Sequence, residues 1–170
     1  ARVAREPDCR LEVIAGPDRL EAGIAGYEQV YARSWKEPEP YPRFNAALMR
    51  ALAPEGTLRL GLLWRGATPI AAQFWAVAYG RAIVFKLAHD EAHKPLSPGT
   101  VLTAMMLRRL LDEEHVSEID FGRGDDPYKQ LWSTRRRLRI GLLAINPRRP
   151  AGLAALATDA LGRARRRWRR

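Results

Sequence analysis

The feature that most constrains the fold of this sequence is a change of period between residues 57 and 115. Apolar residues alternate with other residues in TLRLGLLWRG, and two further apolar stretches, TPIAAQFWAVAYG and RAIVFKLAHD, follow after short turns. Such stretches predict three strands, and short turns between successive strands predict an antiparallel meander. From residue 98 to 115 the apolar residues recur at helical spacing, which predicts a helix.

The segments on either side of this centre extend the pattern to a mixed chain. RLEVIA (10–15) predicts a first strand, and residues 18–34 and 44–52 carry apolar residues at helical spacing. EIDF (118–121) predicts a strand after the long helix, and LRIGLLAI (138–145) predicts a last one. This order favours an α+β fold with a mixed, mostly antiparallel sheet flanked by helices.

The net charge of +10 is concentrated at one end of the chain. Residues 135–170 contain twelve Arg and one acidic residue, whereas the rest of the chain has 17 basic and 18 acidic residues. We therefore expect a globular domain over residues 1–148 and a basic amphipathic helix or tail over 149–170. A solvated tail, attraction to tRNA and attraction to an anionic membrane surface all remain open for this segment.

Three features of the sequence bear on the cellular compartment. Cys9 is the sole cysteine, so an internal disulfide is excluded, as in many proteins of reducing compartments. No apolar run approaches the roughly 20 residues that span a bilayer. The opening ARVAREPDC has no Met and no signal-peptide pattern, so we expect a cytoplasmic protein and a piece of a longer chain.

Five motifs recur in an order that indicates a family. They are SWKEPEP (34–40), AAQFW (71–75), FKLAHD (85–90), LSPGTVL (96–102) and IDFGRGDDPYKQLW (119–132), within residues 27–146. Together they resemble the GNAT acyltransferase fold, and specifically its CelD/BcsL-type branch, which is related to FemAB-like proteins. The resemblance implies a GNAT-like mixed sheet, and it implies that this chain is the C-terminal one of two GNAT-like halves.

The segment Ser97-Pro98-Gly99-Thr100 opens the long predicted helix. Free backbone N–H groups and the helix dipole favour an anion there, although Ser97 could instead simply cap the helix. The resemblance implies that Ser97, Gly99, Thr100 and Val101 bind the pyrophosphate of acetyl-CoA or another acyl-CoA. GNAT proteins usually have Arg or Gln, two residues, Gly, one residue and then Gly or Ala at this place, whereas KPLSPGT has a single glycine. An aminoacyl-tRNA donor, as used by FemAB relatives, therefore stays open.

The stretch FGRGDDPYKQLW follows the predicted strand EIDF. Its two glycines permit an abrupt turn, and either aspartate can cap a short helix. The resemblance implies that Tyr128, on that helix, protonates the departing thiolate, and a phenol with a pKa near 10 carries the required proton. Lys129 is predicted either to orient the donor or a substrate carboxylate or to be an exposed helix lysine. Trp132 is predicted to be core.

The general base is the least constrained role in the sequence. His89 has a suitable ordinary pKa, Asp120 is a second candidate, and a relay through water needs no dedicated residue. Gln73 and Lys86 are polar residues within predicted strands and could face the same cleft. A divalent-cation site at Asp120 and its neighbours is disfavoured because the spacing matches no calcium loop, so we expect no metal.

These patterns lead to one main functional hypothesis and two alternatives. The chain is expected to move an acyl group, most simply acetyl, from coenzyme A to a small-molecule or sugar amine. The alternatives are a Fem-like aminoacyltransferase using charged tRNA, and a catalytically degenerate GNAT scaffold in a polysaccharide or cell-envelope system. The sequence contains no G-x-S-x-G or H-E-x-x-H motif, which argues against common hydrolase and zinc-protease chemistry.

Overall fold

The order of secondary-structure elements follows the predicted pattern over most of the chain. The computed structural model describes residues 8–133, 135–138, 140–142 and 144–168. A 3₁₀ segment (Glu91–Leu96) precedes the helix Pro98–Arg108, and a π-helical turn (Arg109–Glu113) follows that helix. The elements are β1 (Cys9–Ile14), α1 (Leu20–Ala32), α2 (Phe44–Leu52), β2 (Leu58–Arg65), β3 (Thr68–Ala78), β4 (Arg81–His89), α3 (Pro98–Arg108), β5 (Glu118–Asp120), α4 (Pro127–Gln130) and α5 (Pro150–Arg167).

The five strands form one sheet in the order β1-β2-β3-β4-β5. The first four strands are antiparallel neighbours, and β5 pairs with β4 in parallel. A parallel neighbour requires a crossover, and the segment containing α3 supplies it. The predicted α+β class, with a mostly antiparallel sheet flanked by helices, is confirmed.

Helices cover both faces of this sheet, so its strands bury side chains on both sides. One face packs against α1 and α2 through a cluster that includes Ile24, Leu60 and Phe74. The other packs against α3 through a cluster that includes Trp75, Leu102 and Met106. The alternation of side chains along each strand assigns successive residues to these two clusters.

A glycine in β2 determines how closely α3 approaches the sheet. A Cβ atom on Gly61 would lie 2.5 Å from Met106 Sδ, which is closer than real side chains approach. The missing side chain therefore lets the helix lie directly on the strand. The contact between Gly61 and Met106 thus helps to fix the position of α3 over the sheet.

The pairing of β4 with β5 is short and leaves an opening. Residues 81–83 of β4 pair with Glu118–Asp120, whereas β4 continues to His89. From Val84 onward this edge of β4 has no neighbouring strand among the residues that the structure describes. A β-bulge lies in the same part of β4. Phe74 pairs with Lys86 and Trp75 pairs with Val84, so Phe85 has no partner residue on β3.

Contacts divide the chain into two compact units, residues 1–132 and residues 133–170. The sequence places this boundary later, after residue 148, because it predicts a strand over 138–145. That strand prediction is wrong for the described residues of the range, which form no strand, and Leu138 and Leu142 are 86% and 98% exposed. Apolar alternation cannot form a strand without a neighbouring edge to pair with. The helix expected near the C-terminus is present as α5.

We also compared the helices with the dimensions of a bilayer. Across the described part of the chain, no helix combines the length and the apolar character that crossing a membrane requires.

Candidate active site

A cavity of about 580 Å³ lies in the first unit at the opening between β4 and β5. Its walls come from β4 residues 84–89, from the start of α3, from residues 121–132 and from Trp35 and Lys36. The volume is in the range of ligand-binding pockets. Gly99 and Tyr128 both line the cavity. The segment predicted to bind the acyl donor, residues 97–100, therefore shares one cavity with the helix that carries Tyr128.

The start of α3 presents backbone N–H groups at one end of the cavity. Ser97 has a left-handed backbone (φ 52°), and its hydroxyl makes no capping bond to any described residue. Pro98 at the first helical position has no N–H group, and the N–H groups of Gly99 and Thr100 precede the first intrahelical bond. This end of the cavity therefore favours an anion, and Lys94 lines it as well.

A buried glutamine holds the start of α3 against the sheet. Gln73 Nε2 donates to the Gly99 carbonyl at 3.3 Å and to Thr103 Oγ1 at 2.6 Å, and Gln73 Oε1 accepts from Trp75 Nε1 at 3.0 Å. Thr103 Oγ1 in turn donates to the Gly99 carbonyl at 2.9 Å. Gln73 is thus a buried support for the helix, and the expectation that it faces the cleft is wrong.

His89 lies in the cavity wall between α3 and Trp35. A Cβ on Gly99 would lie 3.2 Å from His89 Nδ1, and the His89 and Trp35 ring centroids are 4.4 Å apart. His89 Nε2 is covered and lies 3.3 Å from Glu91 Oε1, in a geometry that does not form a hydrogen bond. Burial lowers the pKa of His89, so the imidazole is neutral at pH 7. Nε2 is thus covered beside Glu91, whereas Nδ1 borders the space left by the missing side chain of Gly99, and the predicted base role of His89 stays a prediction.

Tyr128 lies on α4 and lines the cavity together with the start of α3. Its side chain is 37% exposed, and partial burial raises its pKa above the ordinary value of 10. The phenol therefore keeps its proton at neutral pH. A protonated phenol in the cavity wall can donate to a leaving group.

Lys129 orders the loop that precedes α4. Its Nζ pairs with Asp126 Oδ2 at 2.9 Å and donates to the Arg123 carbonyl, and its side chain is only 12% exposed. Lys129 lines the cavity and is therefore not the freely exposed lysine that the sequence also allowed. Trp132 lines the cavity too and is half-buried, so its assignment to the core is wrong.

Two of the residues predicted for the site lie outside the cavity wall. The Asp120 carboxylate, at the end of β5, accepts from the Gly122 N–H at 2.7 Å. The Val101 side chain is buried in the α3 face of the core, and its N–H donates to the Ser97 carbonyl at 3.1 Å. The structure thus brings together six of the eight predicted residues: Tyr128, His89, Ser97, Gly99, Thr100 and Lys129.

The acidic side chains near the cavity were also considered as metal ligands. Among the described residues, no group of three or more His, Cys, Asp or Glu side chains is arranged to hold a metal ion.

A comparison with protein families decides the affiliation of the chain. The family model described as "Acetyltransferase (GNAT) domain" matches residues 1–130, most of the chain. The chain belongs to the GNAT acetyltransferase domain family. It is therefore a transferase of the GNAT type, and GNAT acetyltransferases use acetyl-CoA as co-substrate. A comparison with curated proteins found no match.

Solved structures share the fold of this GNAT domain at low sequence identity. An aminoglycoside acetyltransferase from an uncultured soil metagenomic sample, in complex with trehalose, is 12% identical (TM-score 0.57, covering 83% of this chain and 98% of that one). A protein described as a possible acetyltransferase from Clostridium difficile 630 is 11% identical (TM-score 0.58, 81% and 98%). Ribosomal-protein-alanine N-acetyltransferase from Brucella melitensis biovar Abortus 2308 is 8% identical (TM-score 0.54, 81% and 99%). At these identities the likeness concerns the fold alone.

Several cavity residues of the GNAT domain were not singled out from the sequence. Trp35, Lys36 and Lys94 line the cavity, although the first two belong to the α1–α2 connection and the third to the 3₁₀ segment. Spacing within one element could not reveal that these segments meet. The available signal was compositional, since the chain has four lysines among 29 basic residues.

Proposed function

We propose that this GNAT domain catalyses N-acyl transfer from an acyl-CoA, most simply acetyl-CoA, to an amine. The observation that carries the proposal is the shared cavity, which joins the N-terminus of α3 to Tyr128 across the open edge of β4. An anion-binding helix start, an open strand edge and a proton donor are the three elements that thioester aminolysis requires.

The residues at the donor end fit the chemistry of a pyrophosphate. The first-turn N–H groups of Gly99 and Thr100 would hold the phosphate oxygens, and Lys94 would add a positive charge. A bound acyl-CoA supplies an activated thioester carbonyl. Backbone N–H groups on the open edge of β4, from Val84 onward, would polarise that carbonyl.

The acceptor amine then attacks the carbonyl carbon, so a C–N bond forms and the C–S bond breaks. Tyr128 Oη gives its proton to the departing sulfur, and the phenolate recovers a proton from water. The amine loses its proton to water, the route that requires no dedicated residue. This arrangement needs no dedicated base.

Titration of the purified chain with acetyl-CoA tests the proposal. We expect acetyl-CoA to raise the melting temperature in a concentration-dependent way, and ATP at the same concentrations to have a much smaller effect. Release of free coenzyme A in the presence of a primary amine, followed with a thiol reagent, measures transfer. Lack of any stabilisation by acetyl-CoA would contradict the proposal.

The two alternatives predict different results in the same titration. The twelve arginines of residues 135–170 favour the Fem-like alternative, because they supply the charge that tRNA attracts. Stabilisation by charged tRNA and not by acetyl-CoA would support that alternative. Stabilisation by neither would support a degenerate GNAT scaffold in a polysaccharide or cell-envelope system.

The assignment to the CelD/BcsL-type branch, and to the C-terminal one of two GNAT-like halves, belongs to the same proposal. It rests on the five sequence motifs. Reading the coding sequence upstream of Ala1 tests it, because a second GNAT-like half is expected there. The cytoplasm stays the proposed compartment, and cell fractionation is the measurement that checks it.

A further inference from the structure

We propose that the amine acceptor carries an anionic group, a carboxylate or a phosphate, and that Lys36 binds this group. The inference rests on the proposed acyl transfer and adds to it the chemical class of the second substrate. It is argued from the distribution of lysines, from their ion pairs and from the position of Lys36 in the cavity.

The lysines of this chain are concentrated at one place. Among 29 basic residues only four are lysines, and all four line the cavity: Lys36, Lys86, Lys94 and Lys129. A codon bias toward arginine would act on every position alike, so it does not account for this clustering. A lysine ammonium is a compact point charge suited to a single carboxylate or phosphate oxygen, whereas a guanidinium requires a wider, planar partner.

Three of these lysines already have a carboxylate partner. Lys86 Nζ lies 2.5 Å from Glu39 Oε1, Lys94 Nζ lies 3.1 Å from Glu91 Oε2, and Lys129 pairs with Asp126. The Glu39 carboxylate also accepts a hydrogen bond from Tyr31 Oη at 2.7 Å. These pairs offset part of the lysine charge along the cavity wall.

Lys36 is the exception among the four. Within the ranges that the structure describes, no carboxylate lies at ion-pair distance from its Nζ, although the residue is half-buried. Burial lowers the pKa of Lys36 and the positive charge of Lys86 lowers it further, whereas the more distant Glu39 and Asp126 carboxylates raise it. A partly buried cation without a partner is unfavourable, and an anion beside it would relieve both effects.

Lys36 lies in the same cavity as the start of α3 but belongs to a different segment of the chain. Lys36 Nζ lies 5.4 Å from the centroid of the Trp35 ring, and that ring contacts His89, which borders Gly99. A series of contacts through Trp35 and His89 thus links Lys36 to the start of α3. Besides the helix start, the cavity wall therefore offers an anion the ammonium group of Lys36, and the exposed Arg123 also lines the cavity.

This charge pattern also disfavours some acceptors. The positive charge of Lys36 would repel an amine with several ammonium groups. Such an amine could bind only by replacing the lysines in their ion pairs with the carboxylates of the cavity wall. An acceptor with one reactive amine and one anionic group would be neutral overall or carry a net negative charge. Amino acids and phosphorylated amino sugars both have this chemistry, and the experiment separates the two.

Matched probe pairs test the proposal on the full chain saturated with coenzyme A, so that the donor site is occupied. The pairs are glucosamine 6-phosphate with glucosamine, and β-alanine with β-alaninamide. Binding is followed by ligand-observed NMR. We expect the anionic member of at least one pair to bind about 10- to 100-fold more tightly, as expected for a hydrogen bond to a charged group. The pair that shows the preference identifies the group as phosphate or carboxylate.

Variants assign the preference to the residue. Lys36→Met should remove the difference between the two members of the pair, and Lys36→Arg should restore part of it. Arg108→Met removes an exposed charge outside the cavity and should leave the difference unchanged. Equal binding of both members in every pair, no binding of any anionic probe, or a preference that survives in Lys36→Met would each overturn the proposal.

Failure of the proposed function gives a different result. If acetyl-CoA does not bind and no probe causes the release of coenzyme A from it, acyl transfer is contradicted. This holds whether or not the probes bind at Lys36. If acetyl-CoA is consumed with neutral and anionic amines alike, acyl transfer stands and the anionic acceptor does not.

Discussion

At the scale of single residues, the cavity wall separates side chains that can exchange protons from side chains that hold others in place. The Tyr128 phenol lies in the wall and forms no hydrogen bond with the residues that the structure describes, whereas Lys129, the next residue, is held by Asp126 and by the loop backbone. His89 is packed between Gly99, Glu91 and Trp35. Neighbouring polar residues therefore have different tasks, and substitutions should separate them.

Tyr128→Phe is expected to lower kcat for acyl transfer by about 100-fold or more, the range typical of losing a general acid. The dissociation constant for acetyl-CoA should stay near the wild-type value. Because burial raises the pKa of Tyr128, the wild-type rate should fall on the alkaline side only above pH 10. Tyr79→Phe is the control, since that side chain is fully exposed. An unchanged kcat at all pH values would show that another group protonates the sulfur.

His89→Gln is expected to raise KM for acetyl-CoA, while kcat/KM should still decrease at low pH. This decrease is then due to protonation of the acceptor amine, because only the deprotonated amine reacts. If His89 were the base, kcat/KM would instead fall as the pH drops through its lowered pKa, below 6.5, and the substitution would abolish this fall. Steady-state kinetics from pH 5 to 9, with exposed His115→Gln as control, distinguish the two roles.

At the scale of elements, the start of α3 depends on β3 through one buried side chain. Gln73→Leu would leave Trp75 Nε1 without its acceptor and the Gly99 carbonyl without one of its donors. We expect a loss of about 1–3 kcal/mol in the free energy of unfolding, together with weaker acetyl-CoA binding. Urea unfolding and calorimetric titration measure the two effects. The exposed Gln29→Leu should change neither, and a loss of stability with unchanged binding would show that the donor site is independent of this support.

At the scale of the whole molecule, the two units are expected to separate functionally. All cavity-lining residues lie between Trp35 and Trp132, and the family match ends at residue 130. A chain ending at Trp132 should therefore keep a cooperative thermal transition and bind acetyl-CoA as the full chain does. Loss of either property would show that residues 133–170 complete the fold or the site. If the full chain binds RNA with a steep salt dependence, the truncated chain should lose that binding.

Comparison of the predicted and observed elements shows where sequence patterns are sufficient. The helix and strand assignments from β1 to α4 followed from apolar period and turn residues, because these act within one element. The segment 138–145 has the same alternation as a strand, yet its described residues pair with nothing. Strand pairing requires two segments, whereas the apolar pattern of one segment contains no information about a partner strand.

The sequence by itself determined the order of elements from β1 to α4, the fold class and the two motifs that meet at the cavity. Only the tertiary structure decided that β4 parts from β5 after Ile83, that Gln73 turns inward and that Trp132 lines the cavity. It also decided that four lysines from distant segments share one wall and that Lys36 is the one among them with no carboxylate at ion-pair distance in the described part of the chain. The physical reason is that period and propensity act over neighbouring residues, whereas a cavity and its charges arise where segments far apart in the chain pack together.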